Sequence, residues 1–82
     1  MGFVLYTKPN CNMCGVAKQT FKNRDVPYDE ISVGTDIERS EFISKFPHVR
    51  GFPLVTYETS TGEVWEVGGP KALVRYLDEN GM

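Results

Sequence analysis

Phe3-Val4-Leu5-Tyr6-Thr7-Lys8-Pro9-Asn10-Cys11-Asn12-Met13-Cys14, FVLYTKPNCNMC, changes its period half-way along. Phe3 to Tyr6 is an unbroken apolar run of β-formers, as expected of a central strand covered on both faces. Pro9-Asn10 interrupts it. From Asn12 the apolar residues recur at helical spacing. Met13, Val16, Ala17, Thr20 and Phe21 fall on one face, with Lys18, Gln19 and Lys22 opposite. Asn23-Arg24-Asp25 ends the helix. Pro27-Tyr28-Asp29-Glu30-Ile31-Ser32-Val33 then reads as a second strand, with Pro27 at its first position. Strand, helix and strand within about 30 residues make a βαβ unit, whose crossover is right-handed and whose strands run parallel.

The rest of the chain extends this unit. Thr35-Asp36-Ile37-Glu38 has the spacing of a capping box, a hydroxyl followed three residues on by a carboxylate. A second helix is expected from there to about Lys45, burying Ile37, Phe42, Ile43 and Phe46, until Pro47 stops it. Phe52-Pro53-Leu54-Val55-Thr56-Tyr57 reads as a third strand. Thr59-Ser60-Thr61-Gly62 is its turn, and Glu63-Val64-Trp65-Glu66-Val67 returns as a hairpin partner. Gly68-Gly69 breaks that strand. Pro70 suits the first position of a last helix, with Leu73, Tyr76 and Leu77 inward. Asp78 and Glu79 sit badly against the dipole at its C-terminus, so that end is expected to fray. The predicted order is β-α-β-α-β-β-α.

The 82 residues leave room for one domain, spanning residues 1–82. The net charge is −2, with acidic and basic residues interleaved, so no nucleic-acid partner is expected. No run approaches the roughly 20 apolar residues of a membrane span, and no membrane association is expected. Met1-Gly2 leads into Phe3–Tyr6 without a basic flank, so no secretory leader is expected. Tyr6 stands where the N-myristoylation pattern needs Ser or Thr.

Both cysteines of the chain lie in the opening stretch, separated by two residues. A disulfide-stapled secreted fold would have more cysteines at wider spacing. A bridge from Cys11 to Cys14 closes too small a loop to stabilise much through chain entropy. The expected compartment is therefore the reducing cytoplasm. Cys11 falls at the start of the first helix, where backbone N–H groups lack partners and the dipole favours an anion. A thiol so placed can drop from a pKa of ~8.5 to roughly 3.5–7.5. Cys11 is thus the expected attacking, exposed thiol, and Cys14, one turn further in, the expected resolving one. Other uses stay open on the residues alone. The pair could be half of a zinc site, although His48 is the only other soft ligand. It could hold an iron–sulfur cluster with external thiols in a dimer, or be an inert buried pair.

Tyr6-Thr7-Lys8-Pro9-Asn10-Cys11-Asn12-Met13-Cys14 resembles the active-site segment of glutaredoxins. Gly51-Phe52-Pro53 resembles the family's Val-Pro segment before the third strand, and Gly68-Gly69 resembles its glycine pair before the last helix. The resemblance covers nearly the whole chain. It implies the α/β thioredoxin fold, a four-stranded mixed sheet flanked by three helices. It implies a dithiol–disulfide oxidoreductase with Cys11 as nucleophile and Cys14 as resolving thiol. Phe52-Pro53 would be a cis peptide facing the sulfurs, and Phe52 would clamp substrate through its main chain. Lys8 would meet a glutathione carboxylate, Gly69 would let the substrate backbone approach, and Asn12 and Met13 would flank the substrate. No tightly bound cofactor is implied. Glutathione would be the reductant co-substrate, and the partners would be disulfide-containing proteins such as ribonucleotide reductase, met by a monomer.

Three departures bear on this. Asn12-Met13 replaces the common Pro-Tyr between the cysteines. Pro70-Lys71 follows the glycines where the family has a polar or acidic residue that helps hold glutathione. Trp65-Glu66-Val67-Gly68-Gly69-Pro70 resembles the corresponding region of NrdH-redoxins, which take electrons from thioredoxin reductase. Lys8 beside the thiol would further favour the thiolate. Arg50 could reach an acidic substrate group from the loop before Pro53. His48 reads as a surface loop residue, Trp65 as packing and Tyr6 as core.

Overall fold

The strand that the sequence marks as doubly covered lies inside the sheet. A computed structural model describes residues 2–49 and 51–81. In it β1 (Gly2–Thr7) pairs in parallel with β2 (Tyr28–Ser32) and antiparallel with β3 (Leu54–Glu58). β3 pairs antiparallel with β4 (Val64–Gly68), giving the strand order β2-β1-β3-β4. Helices α1 (Asn12–Asn23), α2 (Arg39–Lys45) and α3 (Pro70–Glu79) complete the expected β-α-β-α-β-β-α order. Among the described residues, no helix is long and apolar enough to cross a membrane.

Alternation along β1 divides the core in two. Phe3 and Leu5 join Ala17 and Phe21 of α1, Val55 of β3, and Leu73 and Leu77 of α3. Val4 and Tyr6 join Val33, Leu54, Phe42 of α2 and Phe46 at its C-cap. Aromatic contacts tighten both halves. Phe21 stacks on Tyr28 at 4.5 Å between centroids, and Tyr6 lies 5.3 Å from each of Phe42 and Phe46. Burial pushes the Tyr6 phenol pKa above its usual value, and the Glu58 charge acts in the same direction.

The inward face of α1 differs from the predicted one. Cys14, Ala17 and Phe21 are buried, whereas Met13 and Val16 are each 48% exposed. Cys14 is a small apolar residue as well as a chemical one. Counting it in the stripe gives the i, i+3, i+7 pattern that packs on the sheet. α2 is also shorter than expected, because no capping box forms. Glu38 is the N-cap and makes no side-chain cap bond. The Asp36 carboxylate accepts the Ser32 N–H at 2.8 Å instead, and the Thr35 and Asp36 N–H groups donate to the Ser32 carbonyl. This local turn outcompetes the helix start. Phe42 and Phe46 seat the helix, and Ile43 is 50% exposed rather than buried.

β3 starts at Leu54, not at Phe52, since Pro53 has no N–H for the ladder. β4 runs one residue further than expected, to Gly68, with an irregularity opposite Val55 and Thr56. The C-terminal end of α3 is tied rather than loose. Asp78 pairs with Arg24 at 2.6 Å, and the Asn80 side chain donates to the Tyr76 carbonyl at 2.8 Å. These contacts offset the expected conflict with the dipole.

The observed α1 face makes a direct prediction. Phe21→Ala should cost about 3–5 kcal/mol, and Val16→Ala about 0.5 kcal/mol or less, read from urea midpoints. Equal losses would restore the face read from the sequence.

Candidate active site

Three connections leave the sheet at the same end. Tyr6 pairs with Leu54, so the loop after β1 and the turn before β3 emerge side by side. Val55 pairs with Gly68, which brings Gly69 and the start of α3 to that end as well. On the other side, the Val33 N–H donates to the Thr7 carbonyl at 2.8 Å.

The cysteines sit in the first of these connections. Asn10 takes a left-handed conformation, φ 59°, which asparagine tolerates and which turns the strand into the helix. Cys11 follows as the N-cap residue of α1, in extended conformation. Its Sγ accepts the Cys14 N–H at 3.2 Å, occupying one of the orphan donors of the first turn. Cys11 and Cys14 are joined by a disulfide, with Cα atoms 5.3 Å apart. The two sulfurs are not equivalent. Cys14 is 3% exposed, whereas Cys11 is half-buried. A thiolate at Cys11 would meet the N–H groups of the helix start, with no acidic residue in the first turn to oppose it.

Phe52-Pro53 is cis, as the resemblance implied. Pro53 is buried, and Phe52 is half-buried against Phe42 at 5.0 Å. The Lys8 Nζ stands 5.8 Å from the Phe52 ring centroid, within cation–π reach, so it links the cysteine loop to the cis turn. Asn12 and Met13 are exposed on the outer side of the helix start. Of the two glycines, Gly68 is the constrained one. Its φ is +117°, and a Cβ there would lie 3.1 Å from the Ala72 Cβ. Gly69 is extended, with open space where a side chain would be. Arg50 lies outside the described residues.

Trp65 departs from its sequence reading, whereas His48 lies on a surface loop as expected. Trp65 does not pack into the core; it is 55% exposed, and its Nε1 donates to Glu63 at 3.1 Å. His48 is exposed but engaged: its Nε2 lies 2.6 and 2.8 Å from the two carboxylate oxygens of Glu66 on β4. The sequence reading also missed a polar cluster beneath α1. The buried Thr7 hydroxyl donates to Glu30 Oε2 at 3.0 Å, and Lys18 Nζ of α1 reaches the same oxygen at 3.0 Å. Thr7 and Glu30 are 23 positions apart, and no local pattern links them. Among the described residues, no group of three His, Cys, Asp or Glu side chains is placed to hold a metal ion.

The family model for glutaredoxin matches residues 3–59, well over half of the chain. The chain belongs to the glutaredoxin family. With its Cys11–Cys14 pair at bonding distance, it is a thiol–disulfide oxidoreductase. Solved glutaredoxins share the fold. Glutaredoxin 1 from Francisella tularensis, in complex with cacodylate, superposes with a TM-score of 0.70 and 21% identity, covering 94% of this chain and 92% of that chain. Reduced Escherichia coli glutaredoxin gives 0.68 and 20%, covering 98% and 96%. Glutaredoxin from Brucella melitensis gives 0.59 and 21%, covering 96% and 80%. No curated protein sequence matches the chain.

The cluster beneath α1 gives a second prediction. Thr7→Val keeps the shape and removes the hydroxyl, so it should cost about 1.5 kcal/mol, typical of a hydrogen bond to a charged group. Glu30→Gln should cost less in that background than in the wild type if the two residues are coupled. Additive losses in urea denaturation would argue against the coupling.

Proposed function

We propose that this glutaredoxin reduces protein disulfides and glutathione mixed disulfides by a dithiol mechanism in the reducing cytoplasm, as a single-domain monomer. The observation that carries the proposal is the asymmetry of the two sulfurs at the helix start. In the reduced protein the Cys11 thiolate attacks one sulfur of a substrate disulfide. A mixed disulfide forms, and the other sulfur leaves as a thiolate that takes up a proton. Cys14 then loses its proton and attacks the Cys11 Sγ. The second substrate thiolate leaves, and the Cys11–Cys14 bridge remains, two electrons having passed to the substrate. Two glutathione thiols restore the dithiol and leave as glutathione disulfide.

Lys8 would meet a glutathione carboxylate, Phe52 would hold the bound peptide through its main chain beside Pro53, and Gly69 would leave room for it. Asn12 and Met13 would border the incoming substrate. Ribonucleotide reductase is the kind of disulfide-bearing acceptor that fits. A second reading has a specific basis. Pro70 opens α3 without an N–H to offer glutathione, and Trp65 is exposed near it in sequence. Both favour an NrdH-type redoxin reduced by thioredoxin reductase.

Cys11→Ser should reduce turnover of a small disulfide to background, and Cys14→Ser should accumulate a mixed disulfide visible by mass spectrometry. Retained turnover in the first, or no adduct in the second, would sink the assignment. Alkylation of Cys11 in the reduced protein should have a pH midpoint below the ~8.5 of an ordinary cysteine. With NADPH present, turnover through glutathione and glutathione reductase supports the first reading. Turnover with thioredoxin reductase alone supports the second.

A further inference from the structure

The Arg24–Asp78 ion pair identifies the rows of α1 and α3 that face each other. Both helices start at the cysteine end of the sheet and pack on the same half-core, through Ala17 and Phe21 of α1 and Leu73 and Leu77 of α3. Residues four apart on a helix share a side. Counting back in fours from the ion pair gives Thr20, Val16 and Asn12 on α1, and Val74 and Pro70 on α3. These two rows carry no charge until the ion pair closes the lower end of the seam between them. Val16 and Val74 are exposed along it, and Met13 is exposed beside Asn12 at its top. They are half of the six large apolar side chains exposed among the described residues. Single exposed apolar residues are ordinary, whereas a group of them beside a reactive centre marks a contact surface. Two polar neighbours are already engaged within α1. The Thr20 hydroxyl donates to the Val16 carbonyl at 2.9 Å, and the Gln19 amide donates to Asn23 at 2.8 Å.

We propose that this seam docks an apolar side chain of the protein whose disulfide is reduced, two or three positions from the cysteine that bonds Cys11. The covalent chemistry dictates the occupant. In the mixed disulfide the substrate cysteine is tethered to the Cys11 Sγ at the top of α1, so its flanking residues lie over the helix start. Cys11 is the N-cap and Val16 stands five positions on, roughly 7.5 Å along the helix axis. Extended chain covers that distance in two or three residues. Exposed apolar surface begins beside the thiol, at Met13. Glutathione has one residue on each side of its cysteine and no apolar side chain, so it falls short of Val16. The seam therefore separates protein disulfides from glutathione disulfide, although the exchange of bonds at Cys11 and Cys14 is the same for both. The inference rests on the dithiol reading and adds the class of protein substrate to it.

The test uses the pre-reduced protein in excess, in single turnovers, so that no reductase enters. Three disulfides are compared: glutathione disulfide, and two peptides of equal length whose single cysteine is joined to glutathione. One peptide has leucine at the second and third positions on each side of its cysteine, and the other has serine there. The leucine peptide should react at least tenfold faster than the serine peptide. Val16→Gln and Val74→Gln should each bring that ratio below threefold. Val64→Gln, at an exposed valine of β4 away from the seam, should keep the wild-type ratio. A leucine peptide no faster than the serine peptide, a ratio unmoved in both seam variants, or the same collapse in Val64→Gln would overturn the proposal. So would sedimentation showing a wild-type dimer that Val16→Gln dissociates, since a second copy would then occupy the seam. Glutathione disulfide keeps the two readings apart. If the wild type fails to reduce it, the dithiol reading falls. If the wild type reduces it while both peptides react alike, the seam proposal alone falls.

Discussion

β1 hydrogen-bonds to β2 along one edge and to β3 along the other, and its side chains from Phe3 to Thr7 are buried on both faces. A strand held on four sides has a single register. A slip by one residue would exchange Phe3 and Leu5 with Val4 and Tyr6 between two differently shaped half-cores. That register fixes where β1 ends, and therefore where the cysteine loop begins. It also fixes Leu54 beside Tyr6, and so the cis turn beside that loop. The chemistry of the site is carried by loops, but their mutual position is carried by the ladder.

The helix start then separates the two sulfurs. An N-cap position needs an acceptor, and here a sulfur supplies it in place of the usual oxygen. The same orphan N–H groups that donate to this weak acceptor favour negative charge on it. Cys14 belongs instead to the apolar stripe of α1 and shares its inward face with Ala17 and Phe21. One helical turn thus places one thiol in partial contact with water and its neighbour in the core. The Thr7–Glu30–Lys18 cluster lies under the same helix and ties α1 to both parallel strands.

Where the sequence reading missed, a competing local or long-range contact explains the difference. The capping box at Thr35 was legible, yet the Asp36 carboxylate found the Ser32 N–H and made a turn. Cys14 serves both as a redox partner and as part of the apolar face of α1, and the second role has no signal in a cysteine pair spaced for chemistry. Trp65 looked like packing by residue type, but β4 is an edge strand and leaves it exposed. Arg24 and Asp78 are 54 positions apart, and their pairing at the end of α3 had no signal in either segment.

The order of elements, the parallel βαβ start, the position of the cysteines at a helix N-terminus and the glycine break before α3 were all present in the sequence. Each depends on neighbours within one or two turns or on the period of an apolar run, and such information is local. The tertiary structure decided which face of α1 is buried, where α2 begins, and which polar partners Glu30, His48 and Asp78 take. It also decided that Val16 and Val74 border one seam. Those outcomes depend on which segments the sheet brings together, and the energy of a contact between distant residues is written in neither of them alone.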